Sequence, residues 1–115
     1  MISIAKTTSK SITAYLDFVD IKASLREKCS LSVKECLVMR TITRHYINQD
    51  VLRVKQLLDM DFIASPATLH GAIKKLVAKK MVILKIDTAD GRVKYLIPTN
   101  KALDLLAELG KLVQA

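Results

Sequence analysis

The sequence has little of what builds aromatic cores, disulfide scaffolds and phosphate-binding loops. Aromatic residues make up 4% of the 115 residues, and tryptophan is absent. A core must therefore be built from Leu, Ile, Val, Ala and Met, which is typical of helix-rich proteins. The two cysteines, Cys29 and Cys36, are too few for a disulfide scaffold. Three glycines are too few for a glycine-rich phosphate loop.

Residues that carry catalysis or bind metals are equally sparse. His45 and His70 are the only histidines, and neither has a cysteine or another histidine at metal-ligand spacing. We therefore predict that the protein is not an enzyme and that it has no metal and no cofactor. A redox role for Cys29 or Cys36 is disfavoured, because nothing in the sequence lowers the pKa of either thiol.

Acidic residues are in the minority. Lys and Arg number 19 against 11 Asp and Glu, which gives a formal net charge of +8. This excess favours a polyanionic partner, because each neutralised phosphate releases counterions, and a basic solvated surface is the alternative. No apolar run approaches the roughly 18 residues that span a membrane, and no signal peptide is visible. By elimination we expect a cytoplasmic protein.

Hydrophobic residues make up 50% of the chain, enough for one core in one domain. The apolar residues of segment 1–10 show no helical or strand periodicity, and we expect a flexible N-terminus there. Helical spacing predicts a helix from Ser11 to Lys28. Ser32, with Glu35 three residues later, is typical of a capping box that starts a helix running to about Tyr46.

A helix-turn-helix is predicted over about 54–80, after a short extended segment at 51–53. Its first helix is Val54–Met60. Ser65 followed by Pro66 is a strong start signal for its second helix. That helix should bury a stripe formed by Leu69, Ala72, Ile73, Leu76 and Val77.

A wing is predicted over about 82–98. The β-branched segments 82–86 and 93–97 flank a polar loop in which Gly91 would form a left-handed turn, so they predict a β-hairpin. A last helix follows at about 101–113. The predicted fold class is α+β and mainly helical, a single winged helix-turn-helix domain over 11–115 with flanking N- and C-terminal helices.

The second helix of the motif should lie in a DNA major groove. Its outward arc carries Ala67, Thr68, His70, Gly71, Lys74 and Lys75. Glycine within a helix costs about 1 kcal/mol relative to alanine, so Gly71 indicates either close approach to a partner or helix packing. Lys85, Arg92 and Lys94 add positive charge to the wing, although a solvated polar surface would have the same composition.

The last helix has more leucines than one buried stripe needs. Leu103, Leu105, Leu106, Leu109 and Leu112 cover more than one face. This surplus predicts a symmetric dimer to which the Ile12–Val19 helix contributes. The alternative is that both faces pack within one small domain.

The stretch from Leu31 to about Leu109 resembles the MarR family of winged-helix regulators. The resemblance is carried by Leu31-Ser32-x-x-Glu35, Ser65-x-x-Thr68 with Leu76, and Asp90-x-Arg92 with Thr99. It implies a dimer on a pseudo-palindromic operator, with recognition helices in adjacent major grooves and wings in flanking minor grooves. We expect the protein to be a homodimeric repressor.

By position, the resemblance implies that Ser65, Thr68, His70 and Lys74 contact the major groove and its phosphates. Arg92 would serve the wing, with Asp90 orienting it or fixing the turn. The family usually has a helix-ending glycine where this chain has Lys80, and its members have longer terminal segments. Whether a small-molecule effector binds is left open.

The predicted function is sequence-specific binding of double-stranded DNA to regulate transcription in a bacterial cytoplasm. Helix residues 65–75 should contact bases and phosphates, and Lys85, Arg92 and Lys94 should anchor the wing. One alternative is a winged-helix protein-interaction module in a larger assembly. Another is a plasmid or phage replication-associated DNA binder, which would make the same contacts.

Overall fold

The computed structural model describes residues 5–114. Within them, five helices and two strands follow one another: α1 (Lys6–Lys28), α2 (Val33–Ile47), α3 (Val54–Leu58), α4 (Pro66–Ala78), β1 (Val82–Ile86), β2 (Lys94–Pro98) and α5 (Asn100–Gln114). Helices α2 and α3 pack against α4, and α1 lies along α5. The predicted fold class, a mainly helical winged helix-turn-helix with flanking helices, is confirmed.

Helix α1 begins five residues earlier than the sequence pattern predicts. Its first bond joins the Ser9 N–H to the Ala5 carbonyl at 2.8 Å. The prediction of a flexible segment over 1–10 is therefore wrong for residues 6–10, and residues 1–4 lie outside the described part. The segment from Lys6 to Lys10 has no helix-breaking Gly or Pro, so the helix continues without an apolar stripe to mark it. No residue of α1 is buried.

Three helices end in the same way, with a non-glycine residue in the left-handed region. At the end of α4, Lys80 has φ 60°. The Met81 N–H donates to the Leu76 carbonyl at 2.9 Å, and the Lys80 N–H donates to that of Val77 at 3.0 Å. This pair of bonds is the Schellman motif, in which glycine usually occupies the left-handed position. Ser30 and Gln49 have φ 57° and 58° after α1 and α2.

The wing is an antiparallel hairpin whose register runs from Val82 opposite Pro98 to Ile86 opposite Lys94. Strand β2 begins and ends one residue later than predicted. The predicted extended segment at 51–53 joins the sheet, because Arg53 forms a bridge with Tyr95. The Leu96 N–H also donates to the Leu52 carbonyl at 2.8 Å. These bonds attach the wing to the residue that precedes α3.

The predicted left-handed turn at Gly91 is wrong, since no glycine among the described residues has positive φ. Aspartate side chains shape this loop instead. The Asp87 carboxylate accepts the N–H groups of Ala89 and Asp90 at 2.8 and 3.3 Å. The Val93 N–H donates to the Asp90 carbonyl at 3.0 Å, which closes a four-residue turn around Gly91.

The core is aliphatic, as the shortage of aromatic residues predicts. Leu57 from α3, Leu69 and Leu76 from α4, and Leu96 from β2 are all fully buried. Of the predicted buried stripe of α4, only Val77 is wrong, because its side chain is 36% exposed. This core holds α4 by one side only and leaves its other side facing solvent.

Candidate nucleic-acid interface

The polar residues predicted for the recognition helix lie on the exposed side of α4. The buried side consists of Leu69, Ala72, Ile73 and Leu76. The predicted contact residues on this helix and its cap are exposed, with Gly71 half-buried among them: Ser65, Ala67, Thr68, His70, Lys74 and Lys75. Hydroxyl, imidazole and ammonium groups therefore share one solvent-facing surface.

Gly71 has open space beside it. A Cβ added at this position would meet no heavy atom within 4 Å outside its own helix. Helix packing within the described chain therefore does not explain the glycine. The space beside Gly71 leaves room for an outside molecule, as it also does at Gly91 and Gly110.

Ser65 and Thr68 form the N-terminal cap of α4, and both side chains are also exposed to solvent. The Ser65 Oγ accepts the Thr68 N–H at 3.3 Å and so caps α4, as predicted. The Ser65 hydroxyl also donates to Thr68 Oγ1 at 3.0 Å. Both side chains are exposed at the start of the helix, where hydroxyl groups can contact a phosphate or a base edge.

Asp90 both orients Arg92 and fixes the turn of the wing. One carboxylate oxygen, Oδ1, accepts the backbone N–H of Arg92 at 3.1 Å and its Nε at 3.2 Å. The other oxygen accepts Nη2 at 3.4 Å. These bonds from Arg92 hold the pKa of Asp90 below its ordinary value. The side chain of Arg92 is nevertheless 92% exposed, so its guanidinium projects from the wing in a defined direction.

A second aspartate stiffens the base of the same loop. Asp87 accepts a hydrogen bond from the Tyr95 hydroxyl at 3.0 Å, in addition to its bonds from the loop backbone. The Ala89 N–H is the largest cause, ahead of Tyr95, of the lowered pKa of Asp87. The same carboxylate raises the pKa of Tyr95. The loop that carries Arg92 is thus fixed from both ends.

The structure separates two of the predicted wing lysines. Lys85 lies opposite Tyr95, and Lys94 lies opposite Ile86. Because successive strand residues point to opposite faces, Lys85 and Lys94 lie on different faces of the hairpin. Lys94 borders a cleft together with Arg92, whereas Lys85 borders a separate groove beside Thr88.

An apolar surface runs along α1. Its exposed large side chains are Ile12, Tyr15, Leu16 and Val19, between 39% and 65% accessible, and Ile21 is exposed on the opposite side of the helix. Helix α5 packs on α1 and leaves Leu112 and Val113 exposed at its end. The leucine surplus of α5 is therefore only partly covered within one chain.

Comparisons of sequence find no matching family model and no matching curated protein. Comparisons of structure find a DNA complex of MepR from S. aureus, with TM-score 0.70 and 16% identity, over 96% of this chain and 78% of that chain. YusO from Bacillus subtilis matches with TM-score 0.62 and 16% identity, over 96% and 78%. The fold is that of the MarR family.

A third similar structure has a known small-molecule regulator. BpsR from Bordetella bronchiseptica, described with regulation of its DNA binding by 6-hydroxynicotinic acid, matches with TM-score 0.58 and 18% identity. The match covers 99% of this chain and 79% of that chain. MepR, YusO and BpsR are thus longer chains than this one, in keeping with the longer terminal segments of the family.

Lys79, which directly follows α4, has a structural partner in this MarR-type fold. Its Nζ lies 2.6 Å from Oε1 of Glu35 and also donates to the Ser30 carbonyl. The predicted capping box is therefore half correct. Ser32 Oγ accepts the Glu35 N–H at 3.1 Å, but the Glu35 carboxylate bonds to Lys79. Lys79 is not part of the exposed surface of α4.

Sequence reasoning missed two cations beside the wing. Arg53 and Lys55 are exposed at the start of α3, and both border the cleft that also contains Arg92 and Lys94. The pair Arg53 and Lys55 is far in sequence from the pair Arg92 and Lys94. The signal that could have found them is the extended segment at 51–53, because a strand that pairs with the wing must bring the next residues beside it.

A small cavity lies between α1, α2 and α5. It has a volume of about 70 Å³ and mostly apolar walls, with Lys22, Arg26 and Arg40 among its lining residues. Ligand pockets for drug-sized molecules are about 300–1,000 Å³, so this cavity is too small for such a ligand. Cys36 also lines it, and burial raises the pKa of that thiol despite the nearby cations.

Other kinds of site find little support. Among residues 5–114 there is no group of three or more His, Cys, Asp or Glu side chains placed to hold a metal ion. His70 lies on the exposed surface of α4, and His45 pairs with Asp50 at 3.3 Å. Over the same residues, no helix is both long and apolar enough to cross a membrane.

Proposed function

We propose that this protein binds specific sequences in double-stranded DNA and regulates transcription, as a homodimeric repressor. One observation carries the proposal. The exposed side of α4 combines hydrogen-bond donors and positive charge with an open space at Gly71, and a wing with a projecting arginine belongs to the same domain. The fold shared with a DNA-bound MepR supports it.

In this proposal α4 enters the major groove. Thr68, His70 and Lys74 are the residues placed to contact base edges, and Ser65 and Lys75 to contact phosphates. Ala67 and Gly71 let the helix approach closely. Arg92 enters a minor groove, where arginine responds to the groove's width and potential more than to the identity of the bases.

The exposed apolar surface of α1 is the reason for proposing a homodimer. An apolar helix surface that the domain itself leaves uncovered is unfavourable in water. A second copy of the chain would cover it symmetrically, with the exposed end of α5 contributing. Two recognition helices then fit two half-sites. The proposal does not require an effector, and the protein would act in the cytoplasm, where bacterial DNA lies.

The protein-interaction alternative is less well supported, because the exposed side of α4 is polar and basic rather than apolar. A replication-associated DNA binder would use the same contacts and differ only in its target site. The DNA-binding experiment below therefore tests the protein-interaction alternative. The identity of the bound sequence would distinguish a replication-associated protein from a transcriptional regulator.

The test is fluorescence-anisotropy titration of a random duplex over a salt series. We expect affinity to fall steeply with salt for the wild type, and the slope to flatten in Lys74→Ala/Arg92→Ala. The Lys6→Ala/Lys10→Ala variant removes the same charge from the far end of α1 and should keep the wild-type slope. Absence of binding by the wild type at low salt would rule out the proposal.

A further inference from the structure

A cleft of about 710 Å³ lies between α3 and the wing. Residues 53–56, Leu58 and Asp59 form one wall, and Arg92, Val93 and Lys94 form the other. The exposed α4 surface is a different part of the domain, so this cleft is not explained by the contacts assigned above to α4. It lies beside α3, the helix that directly precedes the recognition helix.

The cleft is strongly positive. Arg53, Lys55, Arg92 and Lys94 border it, and Asp59 is the one acidic residue that does so among residues 5–114. Within the same residues, the ion pairs of the structure leave Arg53, Lys55 and Lys94 without a carboxylate partner. Like charges gathered in one concave place repel one another unless an anion lies between them.

The two walls are held together by backbone bonds. Arg53 forms a backbone bridge with Tyr95 of β2, and the Leu96 N–H donates to the Leu52 carbonyl at 2.8 Å. On the other wall, Asp90 orients the Arg92 guanidinium. The two walls are therefore fixed relative to each other, which lowers the entropic cost of binding an anion.

We propose that this cleft binds the phosphodiester backbone of the DNA, between the segments contacted by α4 and by the wing. The inference rests on the proposed function and adds Arg53 and Lys55 as phosphate-binding residues. An open cleft with spread cations suits a chain of phosphates better than a single small anion. Such contacts strengthen binding to any sequence and position the protein without reading bases.

The test compares Arg53→Gln/Lys55→Gln with the wild type, using the selected operator and a scrambled duplex of equal length over a salt series. We expect the variant to lose affinity for both duplexes by the same factor. The salt slope should fall by about 0.9 for each phosphate contact removed, thus by about one or two in total. Thermal melting of the free protein should be unchanged.

Two control variants test whether a change in salt slope comes from the charge of Arg53 and Lys55 and from their position in the cleft. Arg53→Lys/Lys55→Arg keeps both charges and should keep the wild-type slope. Lys6→Gln/Lys10→Gln removes two charges from the far end of α1 and should also keep it. An unchanged slope in Arg53→Gln/Lys55→Gln, when Lys74→Ala/Arg92→Ala flattens it, would overturn the cleft proposal alone. Failure of the wild type to bind would instead overturn the proposed function.

Two other outcomes also overturn the proposal. A loss confined to the operator would mean that these residues read bases. Inorganic phosphate is the other probe: at constant ionic strength it should not compete with DNA more than chloride does. If it shifts the NMR signals of the cleft residues while the variant keeps the wild-type salt slope, the cleft is a site for free phosphate.

Discussion

The Lys79 ammonium lies 2.6 Å from the Glu35 carboxylate, and this pair joins the end of the recognition helix to the start of α2. Glu35 is almost fully buried and Lys79 is 28% exposed. The same ammonium binds the Ser30 carbonyl beyond α1, and the Lys79 carbonyl accepts Lys101 Nζ of α5 at 3.2 Å. One residue thus connects the recognition helix to both flanking helices.

Replacing one member of this pair should be costly. In Glu35→Gln the ammonium of Lys79 loses its charged partner, and we expect the free energy of unfolding to fall by about 1–3 kcal/mol. Urea denaturation followed by circular dichroism measures this. Glu108→Gln changes the same residue type at an exposed position of α5 and should alter stability by less than about 0.5 kcal/mol. Equal effects would contradict the role of the pair.

The same pair predicts how stability depends on pH. Burial would raise the pKa of Glu35, but bonds from Lys79 and Ser32 and the charges of Lys79 and Lys75 outweigh it, so the pKa lies below 4.5. A carboxyl with a lowered folded-state pKa stabilises the fold above its unfolded-state pKa, and this contribution is lost as pH falls through the folded-state value.

We therefore expect the stability difference between wild type and Glu35→Gln to be constant from pH 6 to 8 and to shrink as pH falls below about 4.5. Taking this difference cancels the contributions of Asp87 and Asp90, whose pKa values are also lowered. Urea denaturation at stepped pH measures it. A difference that grows on acidification would mean that Glu35 is protonated in the folded state.

The left-handed residue after the recognition helix allows stabilisation by a single substitution. Lys80 has φ 60°, a conformation that glycine adopts without the steric cost of a Cβ. We expect Lys80→Gly to raise the free energy of unfolding by about 0.5–1 kcal/mol. Thermal melting checks it. Lys75→Gly, the same change within α4, should lower stability by about 1 kcal/mol, and two shifts of the same sign would count against this account of Lys80.

The uncovered surface of α1 predicts the oligomeric state. We expect sedimentation equilibrium to give twice the 12.8 kDa chain mass for the wild type. Leu16→Glu/Val19→Glu places two charges in the apolar surface and should give the chain mass, because burying them in an interface is unfavourable. Both residues are exposed, so the variant should remain folded. A monomeric wild type would remove the homodimer from the proposal.

Local signals in the sequence predicted much of the fold. Ser65 and Pro66 locate the start of α4, and the β-branched segments 82–86 and 93–97 around a polar loop locate the wing. These features depend on residues that are close in sequence, so the sequence alone is enough to predict them. The Lys79–Glu35 pair joins residues 44 apart, which no periodicity marks.

The prediction of the site was limited by the same kind of long-range contact. The exposed residues of α4 follow from helical geometry alone, whereas the role of Asp90 beside Arg92 comes from the resemblance to the MarR family. Arg53 and Lys55 reach the wing only because the 51–53 segment pairs with β2. The sequence predicts a left-handed turn at Gly91 because glycine commonly has that role in hairpins. In the structure, aspartate side chains close this loop instead.

The measurement that tests the central claim most directly is selection of bound duplexes from a randomised library, with wild type and His70→Ala in parallel. We predict an enriched inverted repeat whose half-sites are about 10 base pairs apart or a multiple of that. His70→Ala should relax base preference at matched positions of both half-sites. Enrichment of no sequence by the wild type, even where it binds DNA, would contradict sequence-specific recognition by α4.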